Sequence, residues 1–156
     1  MKNDISKAIA DIVSAYINDS NDMSLDLANA ICDYVKIKAS QMGVNAVVAV
    51  TNSGANPVAV QCMDDSYIAS YDIALNKAFT VVSLKMSTST LKPLAQPGGS
   101  LYGIQFTNNG RIIVFGGGEP LKVGEAIVGG LGVSGGSEEQ DTLLGRFGKD
   151  YFENKM

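Results

Sequence analysis

The sequence predicts an α/β fold of the α+β type, with helices flanking a five-stranded antiparallel sheet. Three observations carry this expectation. Apolar spacing orders the chain as helix, helix, two strands, helix, three strands and helix. The links within each strand group are of hairpin length, which suits antiparallel neighbours, since parallel strands need long crossovers. The run Ala46-Val47-Val48-Ala49-Val50 is apolar without a break, as in a strand covered on both faces.

Each element has its own signal. Over residues 4–17, Ile5, Ala8, Ile9, Ile12, Val13, Tyr16 and Ile17 form a helical stripe, with Asp4, Lys7 and Asp11 opposite. The polar stretch from Asn18 to Asp22 is a linker. A second helix starts near Ser24 and runs to Met42, with Leu25, Ala28, Ile31, Cys32, Val35, Ala39 and Met42 on its apolar stripe, and is stopped by Gly43. Residues 46–50 and 58–63 form a hairpin about the turn Asn52–Pro57. A helix from about Tyr67 to Met86 is apolar nearly all round, so it should be buried on two sides. Residues 87–99 read as a loop because of Pro93, Pro97, Gly98 and Gly99. Strands are then expected at 102–106, 111–115 and 126–133, the first two joined by a turn at Asn108-Asn109-Gly110. Ser137 and Gln140 make a capping box for a last helix over about 138–147.

Length and charge narrow the function. At 156 residues there is room for one folded domain, 24–156, preceded by the helix 1–17 and the linker 18–23. With two Arg, no basic run and a net charge of −4, the footprint of a nucleic-acid binder is missing. The N-terminus reads neither as a signal peptide nor as a membrane span, so a cytoplasmic protein is expected. The chain has no His, which removes the commonest general base and metal ligand.

Several motifs have tempting readings and plainer ones. Gly130-Leu131-Gly132-Val133-Ser134-Gly135 spells G-x-G-x-x-G. No second parallel strand follows to carry the ribose-binding acid, and Glu138 and Glu139 would repel a phosphate. A strand closely packed through small residues is the better account. Gly116-Gly117-Gly118 lacks the G-K-[ST] ending of a phosphate loop and reads as a bulge or sharp corner. Asp65 reads as a cap for the following helix, and Cys32 and Cys62 as small core residues. Lys77 is anomalous, a cation between Ile73 and Leu84 on an apolar face. It is either a snorkelling surface lysine or a residue anchoring a ligand or interface.

A resemblance emerges from separate segments in order. They are Asp64-Asp65, Ser70, Ala74 to Thr80, Leu84 to Thr88, Leu94 to Gly99, Leu101 to Ile104, Gly116 to Leu121, and Gly129 to Gly136 with Glu139-Gln140-Asp141. Over about residues 24–150 the chain resembles the GlcG/HbpS family, and within it the domain at the C-terminal end of PduO-type adenosyltransferases.

The resemblance implies a profilin-like three-layer α/β/α arrangement with a five-stranded antiparallel sheet, assembly into dimers or larger homo-oligomers, and a tetrapyrrole ligand, haem or a corrinoid. It also implies a setting in glycolate or microcompartment metabolism. No catalytic constellation defines the family, so a binding protein is expected rather than an enzyme. One departure matters. Gln61-Cys62 stand where many relatives carry a basic residue before Met-Asp, and with no His the iron of a haem would fall to Tyr102, Met63, Cys62 or a hydroxyl. Lys77 and the backbone N–H groups of Gly98 and Gly99 are the expected partners of the propionates, with Tyr102 as the flat wall. Residues 1–17 resemble peptides that dock proteins into microcompartment shells; a terminal helix packed on its own domain is the plainer reading. The alternative function is a non-catalytic accessory protein of a microcompartment that binds no haem.

Overall fold

The computed structural model describes Ile5 and residues 22–156. The predicted helix over 4–17 and most of the linker 18–23 therefore lie outside the described residues. Met23 is buried, and Ser24 caps helix α1 (Leu25–Gln41) by accepting the Leu27 N–H. Gly43, at φ +70°, turns the chain out of it. Strands β1 (Val47–Asn52) and β2 (Pro57–Cys62) form the expected hairpin. Helix α2 (Ile68–Leu84) ends at Lys85, itself left-handed at φ 57°.

The sheet departs from expectation. It has four strands, not five, in the order β2-β1-β4-β3, all antiparallel, with β3 at Gly118–Val123 and β4 at Ala126–Ser134. Residues 102–106 are not a strand: the N–H groups of Tyr102, Ile104 and Phe106 close turns onto Gly99, Leu101 and Gly103. Nor are residues 111–115. There the backbone lies against α2, where the Thr80 hydroxyl, donating its proton to the Asn76 carbonyl at 2.7 Å, accepts the Ile113 N–H at 3.0 Å. The strand that pairs instead, β3, contains Pro120, which an edge position tolerates because one side of its backbone needs no partner. A short helix, α3 (Thr88–Leu94), replaces part of the predicted loop; Ser87 caps it and Pro93 sits in its last turn. Helix α4 runs from Glu138 to Glu153, past the predicted end, and starts with the predicted capping box.

The period of two along β1 separates the core into parts. Val48 and Val50 join Ile31 and Val35 of α1 and Leu144 and Phe152 of α4. Val47 and Ala49 meet Ala74 and Ala78 of α2. On the α2 side the strand is closely packed through glycines, as predicted for the G-x-G-x-x-G run. A Cβ at Gly130 or Gly132 would run into the Ala78 or Ala74 carbonyl, so the helix backbone rests directly on β4. The outer side of α2 is less covered than its composition suggests, with Ile68 97% and Tyr71 50% exposed.

Candidate functional site

The ends of β4, α2 and α4 converge at one edge of the molecule, where the chain makes a corner at Gly116-Gly117-Gly118. Gly117 has φ +116°, and its carbonyl accepts the Val133 N–H at 2.9 Å. Between these elements opens a cleft of about 340 Å³. Tyr67, Ile73 and Phe115 supply its apolar walls, Ser70, Ser134, Gly135 and Gly136 its small polar lining, and Glu138 and Asp141 its acidic side. The Ser134 hydroxyl donates to Ser70 Oγ at 3.0 Å, closing the lining on itself.

Behind the cleft lies Lys77, with no exposed surface. It is therefore not a snorkelling surface lysine. A buried ammonium needs partners for its donors. Nζ donates to the Val133 carbonyl at 2.7 Å and to Asp141 Oδ2 at 3.1 Å, and it stands 5.0 Å from the Phe115 ring centroid. Asp141 Oδ1 in turn accepts the Gly136 N–H at 2.9 Å. Gly117 leaves the space that Nζ fills, since a Cβ there would lie 2.6 Å from it. Burial pushes Lys77 below the usual lysine range, opposed by Asp141 and then Glu138. Burial likewise pushes Asp141 above the usual carboxylate range, opposed by Lys77. Glu138, more exposed, is held low by the Gly116 N–H and by Lys92.

At the N-terminus of α4, Glu138 and Glu139 stand in the first turn and oppose an anion. The N–H groups of Gly136, Ser137 and Gln140 bind Asp141, the Gln140 side chain and the Ser137 hydroxyl in turn. Among the described residues, no group of three or more His, Cys, Asp or Glu side chains is placed to hold a metal ion, and no helix is long and apolar enough to cross a membrane.

Of the residues singled out in the sequence, Lys77 lies at this cleft, behind its lining. Met63 does not. Its Sδ accepts the Ala46 N–H at 3.3 Å, and it lines a separate, more polar cleft of about 770 Å³ with Cys62, Asp64 and Asp65. Gly98, Gly99 and Tyr102 sit in the segment after α3, where the Gly99 N–H is used by the Gln96 carbonyl at 2.8 Å and Tyr102 is 61% exposed. Cys62 is exposed, not a core residue, because it ends an edge strand; Cys32 is buried, and burial pushes its thiol up to about 12. Asp65 does not cap α2. It is left-handed, at φ 62°, and the capping position falls to Tyr67, which makes no side-chain cap.

Sequence reasoning missed Tyr67 and Phe115 as cleft walls and Asp141 as the partner of Lys77. Asp141 was legible. It occupies the first place of the stripe Asp141, Leu144, Gly145, Gly148 and Phe152 that α4 buries, and an acid on a core stripe signals a buried cation.

The donors test the tetrapyrrole expectation. Tyr67 and Phe115 give the cleft apolar surface for a flat ring, but no imidazole exists to bind iron, and Lys77 is enclosed by its own partners. The lining suits apolar contact with a ring, and the Tyr67 phenol is the one lining side chain of a type that binds haem iron.

Comparison with known proteins agrees with the geometry in kind. An uncharacterized 15.0 kDa protein from the dhaT-dhaS intergenic region of Citrobacter freundii is 42% identical over 83% of this chain and 92% of its own length. The corrinoid adenosyltransferase PduO of Salmonella typhimurium is 38% identical over 67% of this chain, but over only 31% of its own length. Among solved structures, the PduOC:Heme complex superimposes with a TM-score of 0.80 at 31% identity, covering 83% of this chain and 94% of that one. HbpS superimposes with a TM-score of 0.74 at 25% identity, covering 83% of this chain and 89% of that one. The family model described as haem degrading protein HbpS-like matches residues 23–148, and the chain belongs to that HbpS-like family.

Proposed function

We propose that this protein binds a tetrapyrrole, haem or a corrinoid, as a homo-oligomer, and catalyses no reaction on it. The observation that carries this reading is the cleft between Tyr67 and Phe115 in a chain 31% identical to one solved with haem. The ring enters flat, held by apolar contact at about 25 cal/mol per Å², and without an imidazole the affinity is modest. Lys77 acts as a positioning residue: it holds Asp141 and the end of β4 so that the lining keeps its shape. Gly98, Gly99 and Tyr102, in the segment after α3, offer a second placement with Tyr102 as the flat wall, and Met63 belongs to the separate cleft with Cys62. The profilin-like layering, the site of action in the cytoplasm or a microcompartment, and assembly through the exposed side of α2 belong to the same reading.

Titration of the pure protein with haemin and with cobalamin, following the Soret and corrin bands, tests it. A broad, non-stoichiometric-looking high-spin change with haemin, lost in Tyr67→Ala and kept in Tyr102→Ala and Met63→Ala, is the expected result. Loss in Tyr102→Ala alone moves the ligand to the second placement. No spectral change with either compound overturns the reading and favours the accessory protein of a microcompartment. The absence of any His is the observation on the side of that alternative.

A further inference from the structure

Helix α4 has two unlike faces. One is buried through Leu144, Gly145, Gly148 and Phe152. The opposite stripe runs Glu139, Leu143, Arg146 and Asp150, all exposed, in alternate steps of four and three residues, the spacing of one helix laid along another. Leu143, 58% exposed, forms a ridge between two grooves. The first, of about 430 Å³, is bounded by Lys92, Glu138 and Thr142. The second, of about 560 Å³, has Met42 and Phe147 as its apolar floor, with Lys38 and Arg146 beside them. That floor continues into an aromatic stack, Tyr34 on Phe147 at 4.5 Å and on Tyr151 at 4.1 Å between centroids.

We propose that a second copy of this chain covers the stripe, its α4 antiparallel to the first about a two-fold axis through Leu143. Shape and charge both favour a copy as the occupant. A ridge beside a groove is self-complementary: each Leu143 enters the groove of the other copy, against Met42 and Phe147. With Leu143 on the axis, Glu139 of one helix stands level with Phe147 of the other, because each lies four residues from Leu143. Lys38 Nζ stands 5.4 Å from the Phe147 ring centroid, and Arg146 precedes Phe147 in the chain. Glu139 of each copy thus falls between two cations of the other. Within its own chain, among the described residues, the nearest acid to Arg146 is Glu119, at 4.0 Å. The contact lies on the α1 and α4 side of the sheet, away from the exposed side of α2, so the two surfaces do not compete.

Light scattering of the full chain at micromolar concentration tests this by exchanging charges. Glu139→Arg and Arg146→Glu each bring like charges together across the axis, and each should lower the particle mass to about half that of the wild type. The double variant Glu139→Arg, Arg146→Glu restores opposite signs and should recover the mass. Loss of an acid from the first turn weakens α4 by itself, but Arg146→Glu cannot mend that, so recovery reads the contact between copies. Leu143→Glu should also bring the mass to about half. These positions are exposed, and an unchanged circular dichroism spectrum is the check on folding. A wild-type mass of 16.4 kDa overturns the proposal. So does a double variant no heavier than the single ones. A mass unchanged in Leu143→Glu also overturns it and leaves the groove to another occupant; if Ile68→Glu lowers the mass where Leu143→Glu does not, assembly belongs to α2 alone.

Discussion

Lys77 reaches from α2, on one side of the sheet, to Asp141 of α4, on the other, past the end of β4. Removing one partner leaves the other buried and unpaired, so Lys77→Met should cost about 3–5 kcal/mol. The double variant Lys77→Met, Asp141→Leu should lose less, and urea denaturation of the three proteins measures the difference. Glu119 makes the opposite case. It is 4% exposed, and its cations, Arg146 and Lys149, stand no closer than 4.0 Å. Burial outweighs them and raises its carboxyl above the usual range. A raised folded pKa means that the unfolded chain ionises first, so stability falls as pH climbs from the ordinary carboxylate range through the folded value. Glu119→Gln should therefore be more stable than the wild type near neutral pH and gain nothing in acid below the ordinary range. Melting curves at two pH values check the sign. At this scale Lys77 was legible as an anomaly and Asp141 as an acid on an apolar stripe, but their meeting was not, because they lie on elements that only the fold brings together.

At the scale of elements, the chain chose its fourth strand against local preference. Residues 102–106 and 111–115 carry the stronger strand pattern, yet β3 forms from Gly118 to Val123. The glycines of β4 explain part of this. Gly130 and Gly132 let α2 settle on the sheet, and the Thr80 hydroxyl of that helix then accepts the Ile113 N–H. The Ile113 N–H is thereby satisfied on the helix rather than in the sheet. Gly132→Ala should show the dependence. Its Cβ would meet the Ala74 carbonyl, a rigid backbone atom, so α2 must move away. A loss of about 1–3 kcal/mol is expected, with faster hydrogen exchange at residues 111–115 than at α1.

Among the described residues, the outer side of α2 leaves apolar side chains exposed. Ile68 and Tyr71 stand exposed on the outer side of α2, with the half-buried Leu75 on the same side. We expect a particle of at least two copies, so light scattering should give a mass of twice 16.4 kDa or more. Ile68→Glu, at a position 97% exposed and so free of folding penalty, should shift that mass toward one chain. By itself the sequence determined the helices α1, α2 and α4, the capping box of α4, the β1–β2 hairpin, the glycine-packed β4 and the family, because periodicity, capping residues and local motifs act over a few residues. The tertiary structure alone decided which segment became β3, why residues 111–115 did not pair, and where Lys77 points. Those outcomes depend on groups far apart in the chain competing for the same backbone partners and for the same buried space.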